Sequence, residues 1–328
     1  MEINVNTTVQ EIVDMPTFKP MRNAFVGAAG DWMTVIPGDT TIMQITQKSP
    51  TWHYGDILLG VQRLAEVADT GEEYVFDLYS EEEIKDDPAL SQVKLIYHPA
   101  KHRTFNTYAL LLSGGGYGAV CTLVESMPVA ARLNELGMTA FSLNYRTSSK
   151  ETVAAGLMPK PVDDVARAIR FIQKHFDISA EALIVGGFSA GGHLAALWGT
   201  RYAEYDLPKP KMLMLDYPLI SLENFPEPVK HMFAAGLLGE KWREEDAITM
   251  AVDRFVTENF PKTYLVTALD DTTVPAKDSQ DLEAALVEHN VPHLFERVAH
   301  GGHGFGLGSV TDAAGWVDRA IEYMEETA

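Results

Sequence analysis

The chain has 328 residues, 46% hydrophobic and 22% charged, which fits one large α/β domain with a smaller appendage and gives no sign of disorder. Its 26 basic and 46 acidic residues leave a formal net charge of −20. Such a surface repels phosphate backbones and anionic lipid heads, so nucleic acids, membranes and polyanionic substrates are disfavoured against a neutral small molecule.

The first 90 or so residues hold short turns, at Pro37-Gly38 and Pro50, and one helix candidate, Tyr54–Val67, with Gly60 inside it. With no repeat and no low-complexity linker, residues 1–90 read as an N-terminal extension packed on a core formed by 91–328. Met1–Asn4 shows no basic region ahead of an apolar one. No apolar run approaches the roughly 20 residues of a membrane span, and a cytoplasmic location is the expectation. The one cysteine, Cys121, excludes an intramolecular disulfide and reads as a small buried hydrophobe.

From Val93 onward, strand-like runs alternate with helical patterns. The strands are expected at Val93–His98, Tyr108–Leu112, Thr139–Tyr145, Ala182–Gly186, Met212–Tyr217, Thr263–Leu269 and His293–Val298. Several are continuous apolar runs, as strands buried on both faces of a parallel sheet must be. Helices are expected at about Val120–Leu136, Val162–Phe176, Ala190–Tyr202, Lys277–His289 and Asp312–Glu326. In the second of these, Val165, Ile169, Ile172 and Phe176 repeat at helical spacing after Pro161. The alternation implies right-handed crossovers and a mostly parallel sheet flanked by helices. Leu222–Glu258, between the strand-like runs Met212–Tyr217 and Thr263–Leu269, breaks the rhythm and reads as a small lid-like insertion.

Gly187-Phe188-Ser189-Ala190-Gly191 is a G-x-S-x-G motif set between a strand and a helix. A serine on so sharp a turn needs small neighbours two residues away. The turn lifts its hydroxyl above the sheet and puts a helix N-terminus beneath a developing oxyanion. The competing reading is a glycine-rich turn without chemistry.

Ser113–Gly118 ends the second strand with three adjacent glycines, which let the backbone curl close to a ligand. The N–H groups of Gly115 and Gly116, joined by that of Ala190, are the candidate oxyanion donors. Ser113 stands where the H-G-G-G form of this loop has histidine, which leaves the loop's anchoring open. A phosphate-binding loop is the rival reading, but the G-x-x-x-x-G-K-[ST] pattern is missing here.

A serine hydroxyl needs a base, and the base an orienting carboxylate. Asp270 and Asp271 end the sixth of these strands, and the spacing to Val274-Pro275 favours Asp271, with Asp270 as a cap or loop anchor. His300 and His303 follow the last strand, and the glycines around His303 favour it as the base. No Cys/His clustering suggests a metal, and no cofactor is expected.

Taken together, Gly114–Tyr117, Gly187–His193, Asp271–Pro275 and Gly302–Phe305 resemble the acetyl-xylan-esterase-like branch of the α/β-hydrolase superfamily, close to the hormone-sensitive-lipase-like carboxylesterases. Asn144–Arg146, Pro161 and Asp163-Asp164 fit the same resemblance, which runs from about Val93 to the C-terminus. It implies an α/β-hydrolase fold, a Ser-His-Asp triad and hydrolysis of short-chain esters, acetylated sugars or xylo-oligosaccharides among them. A serine exopeptidase and a non-catalytic binding protein are the alternatives. Tyr117 is expected to wall the acyl side. Trp52, His53, Tyr54 and the 222–258 insertion are expected on the alcohol side, unless these aromatics only pack the N-terminal segment. A homodimer is left open.

Overall fold

A computed structural model describes residues 2–21, 38–148, 154–176 and 178–326; Pro37 of the expected Pro37-Gly38 turn lies outside them. The N-terminal part forms helices α1 (Val9–Asp14), α2 (Ile42–Thr46) and α3 (Tyr54–Ala68), strand β1 (Val75–Asp77) and helix α4 (Glu81–Asp86). There follow β2 (Lys94–His98), β3 (Tyr108–Leu112), α5 (Ser126–Glu135), β4 (Thr139–Asn144), α6 (Lys160–Phe176), β5 (Leu183–Phe188) and α7 (Ser189–Arg201). The chain continues with β6 (Met212–Asp216), α8 (Glu227–Leu238), α9 (Glu244–Ala247), β7 (Thr263–Ala268), α10 (Ala276–Glu288), β8 (His293–Val298) and α11 (Trp316–Glu326).

The eight strands form one sheet in the order β1-β2-β4-β3-β5-β6-β7-β8. β2 runs antiparallel to both β1 and β4, and every other neighbouring pair is parallel. This is the α/β-hydrolase arrangement. All residues of β3 to β7 are buried, which is why their sequences are predominantly apolar, with Ser142, Asn144, Asp216 and Thr267 among the few polar residues they carry.

Side chains alternate between two cores. Leu110 and Leu112 face α6, α7 and α10 through Val165, Ile169, Leu194 and Leu282. Ala109 and Leu111 face α5 and α11 through Val129, Leu133, Trp316 and Val317. A third cluster joins Ile12, Ile42, Ile57, Val61 and Leu64 of the N-terminal part to Ile96, Leu123 and Met127. There α3 presses onto α5 so closely that a Cβ on Gly60 would lie 2.8 Å from the Pro128 nitrogen. β1, within the first 90 residues, adds the outermost strand of the sheet.

Two helices are shorter than the sequence suggests. α5 begins at Ser126 rather than near Val120, because the preceding residues make a turn in which the Cys121 N–H reaches back to the Gly114 carbonyl at 2.9 Å. α11 begins at Trp316 rather than Asp312, since Gly315 lies in the left-handed region at φ +80°. The insertion forms α8, α9 and short 3-10 turns. Among the described residues no helix is long and apolar enough to cross a membrane.

Candidate active site

Ser189 follows directly on β5 at φ 51°, a left-handed conformation that a serine holds only when its surroundings enforce it. The glycines on either side make the turn sterically feasible. A Cβ on Gly191 would sit 2.0 Å from the Leu112 carbonyl oxygen, and one on Gly187 would sit 2.2 Å from the Gly191 carbonyl oxygen. Ser189 and Ala190 open α7, whose first-turn N–H groups have no partner within the helix.

His303 Nε2 lies 2.8 Å from Ser189 Oγ, and His303 Nδ1 lies 2.7 Å from Asp271 Oδ2. A carboxylate only accepts, so Nδ1 carries the proton and Nε2 is left to accept from the serine hydroxyl. Asp271 is itself fixed: its Oδ1 accepts the N–H groups of Thr273 at 2.8 Å and Val274 at 3.0 Å. Asp270 takes a different task. Its Oδ1 accepts from Gly301 and Gly302, holding the loop that leads to His303, and these bonds keep its carboxyl below the usual range. The His300 side chain is 80% exposed beside Asp270, on the solvent side of that loop. The N-terminal segment clasps the same loop, with Thr51 Oγ1 donating to the His303 carbonyl and Trp52 Nε1 to that of Gly304.

Gly115 and Gly116 take φ +125° and +60°, so the loop after β3 has the backbone freedom its glycines promise. Together with Ala190 they line the cleft at Ser189. The loop is anchored without a histidine. Ser113 Oγ accepts the Ser126 N–H at 3.2 Å, Tyr145 donates to the Ser113 carbonyl at 2.6 Å, and the Gly114 N–H donates to Glu125 Oε2 at 2.5 Å.

Tyr117 corrects the expectation that it walls the acyl side. At φ 58° its side chain turns into the core, where it is 1% exposed and its hydroxyl meets His193 Nδ1 at 2.7 Å. His193 Nε2 faces the Met250 carbonyl at 2.8 Å and must donate there, so Nδ1 accepts from Tyr117. Burial pushes His193 down to about 4, and it stays neutral.

The cleft above Ser189 has a volume of about 750 Å³. Trp52 forms part of its wall, as do Leu219, Phe225, Val229, Phe233 and Val274. Val229 and Phe233 lie one turn apart on α8, Phe225 just before that helix stands edge-on to Phe233 at 6.1 Å, and Phe233 approaches within 3.4 Å of where a Gly116 Cβ would be. His53 and Tyr54 do not line the cleft; they tilt against each other at 4.5 Å, and Tyr54 is 40% exposed. Glu125 also lines the cleft, and sequence reasoning passed over it. Its signal is an isolated charge in the otherwise uncharged run Tyr117–Ala131, the mark of a buried and partnered carboxylate.

Residues 95–286, more than half of the chain, match the family described as BD-FAE. An endo-1,4-beta-xylanase B of Butyrivibrio fibrisolvens is 29% identical over 231 residues, covering 66% of this chain and 35% of that protein. An acetylxylan esterase of Xylanibacter ruminicola is 28% identical over 208 residues, covering 60% and 40%. The chain thus spans well under half the length of these curated relatives. Among solved structures, an acetyl ester-xyloside bifunctional hydrolase from Caldicellulosiruptor lactoaceticus is 30% identical with a TM-score of 0.66, covering 77% of this chain and 96% of that one. A carboxylesterase from Lactobacillus plantarum, 20% identical with a TM-score of 0.60 over 72% and 92% of the two chains, shares the fold.

Proposed function

Because the chain belongs to the BD-FAE family and has the α/β-hydrolase fold, we propose that it is a serine carboxylesterase of short acyl esters, with acetylated sugars or xylo-oligosaccharides as its substrate class. The observation that carries this reading is the unbroken hydrogen-bond chain from Ser189 through His303 to Asp271. The substrate class rests on the acetylxylan esterase and the acetyl ester-xyloside hydrolase among the relatives.

In this reading Ser189 Oγ attacks the ester carbonyl while His303 Nε2 takes its proton. Asp271, held by two backbone N–H groups, keeps the imidazole tautomer and stabilises the imidazolium. The N–H groups of Gly115, Gly116 and Ala190 receive the oxyanion. His303 then protonates the departing alcohol oxygen, leaving an acyl ester on Ser189. Water, deprotonated by His303, attacks that ester; the acid leaves and the serine recovers its proton. No step needs a metal or cofactor. The substrate class is tested by a panel of acetylated xylo-oligosaccharides, p-nitrophenyl esters of increasing chain length and an aminoacyl anilide. The expected order has acetyl esters first, kcat/KM falling with acyl length, and the anilide unturned. Preference for long acyl chains or for the anilide would overturn it.

A further inference from the structure

Glu125 is used by none of these steps, yet it lies on the cleft floor, 4% exposed, with both carboxylate oxygens engaged. Its two partners belong to different loops. Oε2 accepts the Gly114 N–H at 2.5 Å, one residue before the candidate oxyanion donors. Oε1 lies 3.1 Å from the Tyr217 hydroxyl, and that hydroxyl oxygen lies 2.9 Å from the Gly306 nitrogen. An N–H can only donate, so the tyrosine oxygen accepts from Gly306 and its own proton is free for Glu125. The chain of donors therefore runs from Gly306 through Tyr217 to Glu125, and from Gly114 to Glu125, converging on one carboxylate.

Tyr217 is placed for this at a backbone cost. It follows β6 at φ 37°, a left-handed conformation unfavourable for an aromatic residue, and it is fully buried. Its ring stands edge-on to His303 at 4.9 Å between centroids, and to Phe305 at 4.6 Å.

We propose that Glu125 is a positioning residue for the reaction described above, a strut that holds the oxyanion loop at Gly114 and, through Tyr217, the His303 loop at Gly306, in one register relative to Ser189. The proposal rests on the esterase reading. Gly114 packs so tightly on the nucleophile that a Cβ there would lie 2.7 Å from Ser189 Cβ, so a shift at Gly114 moves the donors that follow it. Displacement by about 1 Å is enough to lower a rate by about 10²-fold.

Among the described residues, the groups that face Glu125 are the Gly114 N–H, the His303 ring, Tyr217 and Asp216 at the end of β6, and Tyr145 after β4. Burial pushes its carboxyl up to about 7, against the lowering effect of Gly114, His303 and Tyr217. Only the charged form accepts at both ends. A protonated carboxyl gives up one acceptor site, so the strut is whole above about pH 7 and loosens as pH falls through that value.

The test measures kcat and KM on p-nitrophenyl acetate from pH 6 to 8 for Glu125→Gln, Tyr217→Phe and the double variant, with fluorophosphonate labelling of the wild type at Ser189. At pH 8, Glu125→Gln should lose about tenfold or more in kcat with KM within about twofold, and Tyr217→Phe somewhat less. The double variant should be no worse than Glu125→Gln, since both break one strut. The ratio of wild-type to Glu125→Gln rates should shrink between pH 8 and pH 6, a change that a side chain serving stability alone would not produce. Wild-type kcat in Glu125→Gln at pH 8, a constant ratio across that range, or additive losses would overturn the strut; if Glu125→Gln does not fold, Tyr217→Phe with wild-type kcat does so. A wild type that neither turns over the ester nor labels at Ser189 would overturn the esterase reading, and this inference with it.

Discussion

The floor of the cleft and its walls are built by different means. The floor comes from strand ends: Ser189 after β5, Asp271 after β7, His303 after β8 and the glycines after β3, tied by hydrogen bonds of 2.5 to 3.0 Å. The helix that Ser189 opens, α7, is buried from Ala190 to Gly199. The walls come from Trp52 and from α8, which buries only Ala234 and Leu237, leaves Met232 61% exposed, and has open space beside Gly236. A helix with so few buried contacts belongs to the low-stability end of the structure. On the proposed esterase reading the floor carries the chemistry and the walls the selection, because the floor is held in a fixed geometry while apolar walls can change shape without disturbing it.

Substitutions that separate kcat from KM put this contrast at risk. The largest effect is expected at the floor. Asp271→Asn should keep the fold and lower kcat on p-nitrophenyl acetate by about 10³- to 10⁴-fold, since an amide at this site favours the wrong imidazole tautomer. Steady-state kinetics check it, and a loss confined to KM would place Asp271 outside the floor. At the walls, Phe233→Ala should leave kcat for the acetyl ester within about twofold while changing relative kcat/KM between small and bulky esters by about 10-fold. A uniform fall for every ester would make α8 part of the floor instead.

The smallest effect concerns a group beneath the floor. Asp216 is fully buried, and neither of its oxygens has a partner among the described residues. Burial, with Glu125, Asp271 and Glu296 nearby, pushes its carboxyl well above the usual range. The folded chain therefore keeps this proton while the unfolded chain releases it above about pH 4. The penalty is absent below that pH and grows as pH rises. Asp216→Asn, which has no proton to release, should gain in Tm over the wild type by a few degrees between pH 4 and pH 8. A Tm difference that stays flat over this range would contradict the assignment.

Much of the floor was legible in the sequence because its residues are constrained by position. Strands buried on both faces are predominantly apolar, which placed β3 to β7 within about two residues. Glycines at 187 and 191 mark a turn that tolerates no Cβ, and the order Ser189, Asp271, His303 follows from strand ends lying along one sheet edge. Asp270 as a loop anchor was also open to reading. Side-chain direction was not. Tyr117 adjoins the glycine loop in sequence, but its φ of 58° turns it onto His193 in the core. Glu125 acquires its partners only when the loops after β3, β6 and β8 meet, and no local pattern encodes that meeting. The wall formed by Phe225, Val229 and Phe233 depends on how α8 and the turn before it are laid over the sheet, and the three residues of β1 are too few to carry a period.

Everything proposed for the cleft depends on Ser189 acting as the nucleophile. The most direct measurement is peptide mapping of the protein after reaction with a fluorophosphonate, alongside p-nitrophenyl acetate turnover by wild type and Ser189→Ala. One adduct is expected, on the peptide containing Ser189, with a loss of turnover in the variant of at least about 10³-fold. An adduct elsewhere, or near-wild-type turnover by Ser189→Ala, would contradict it.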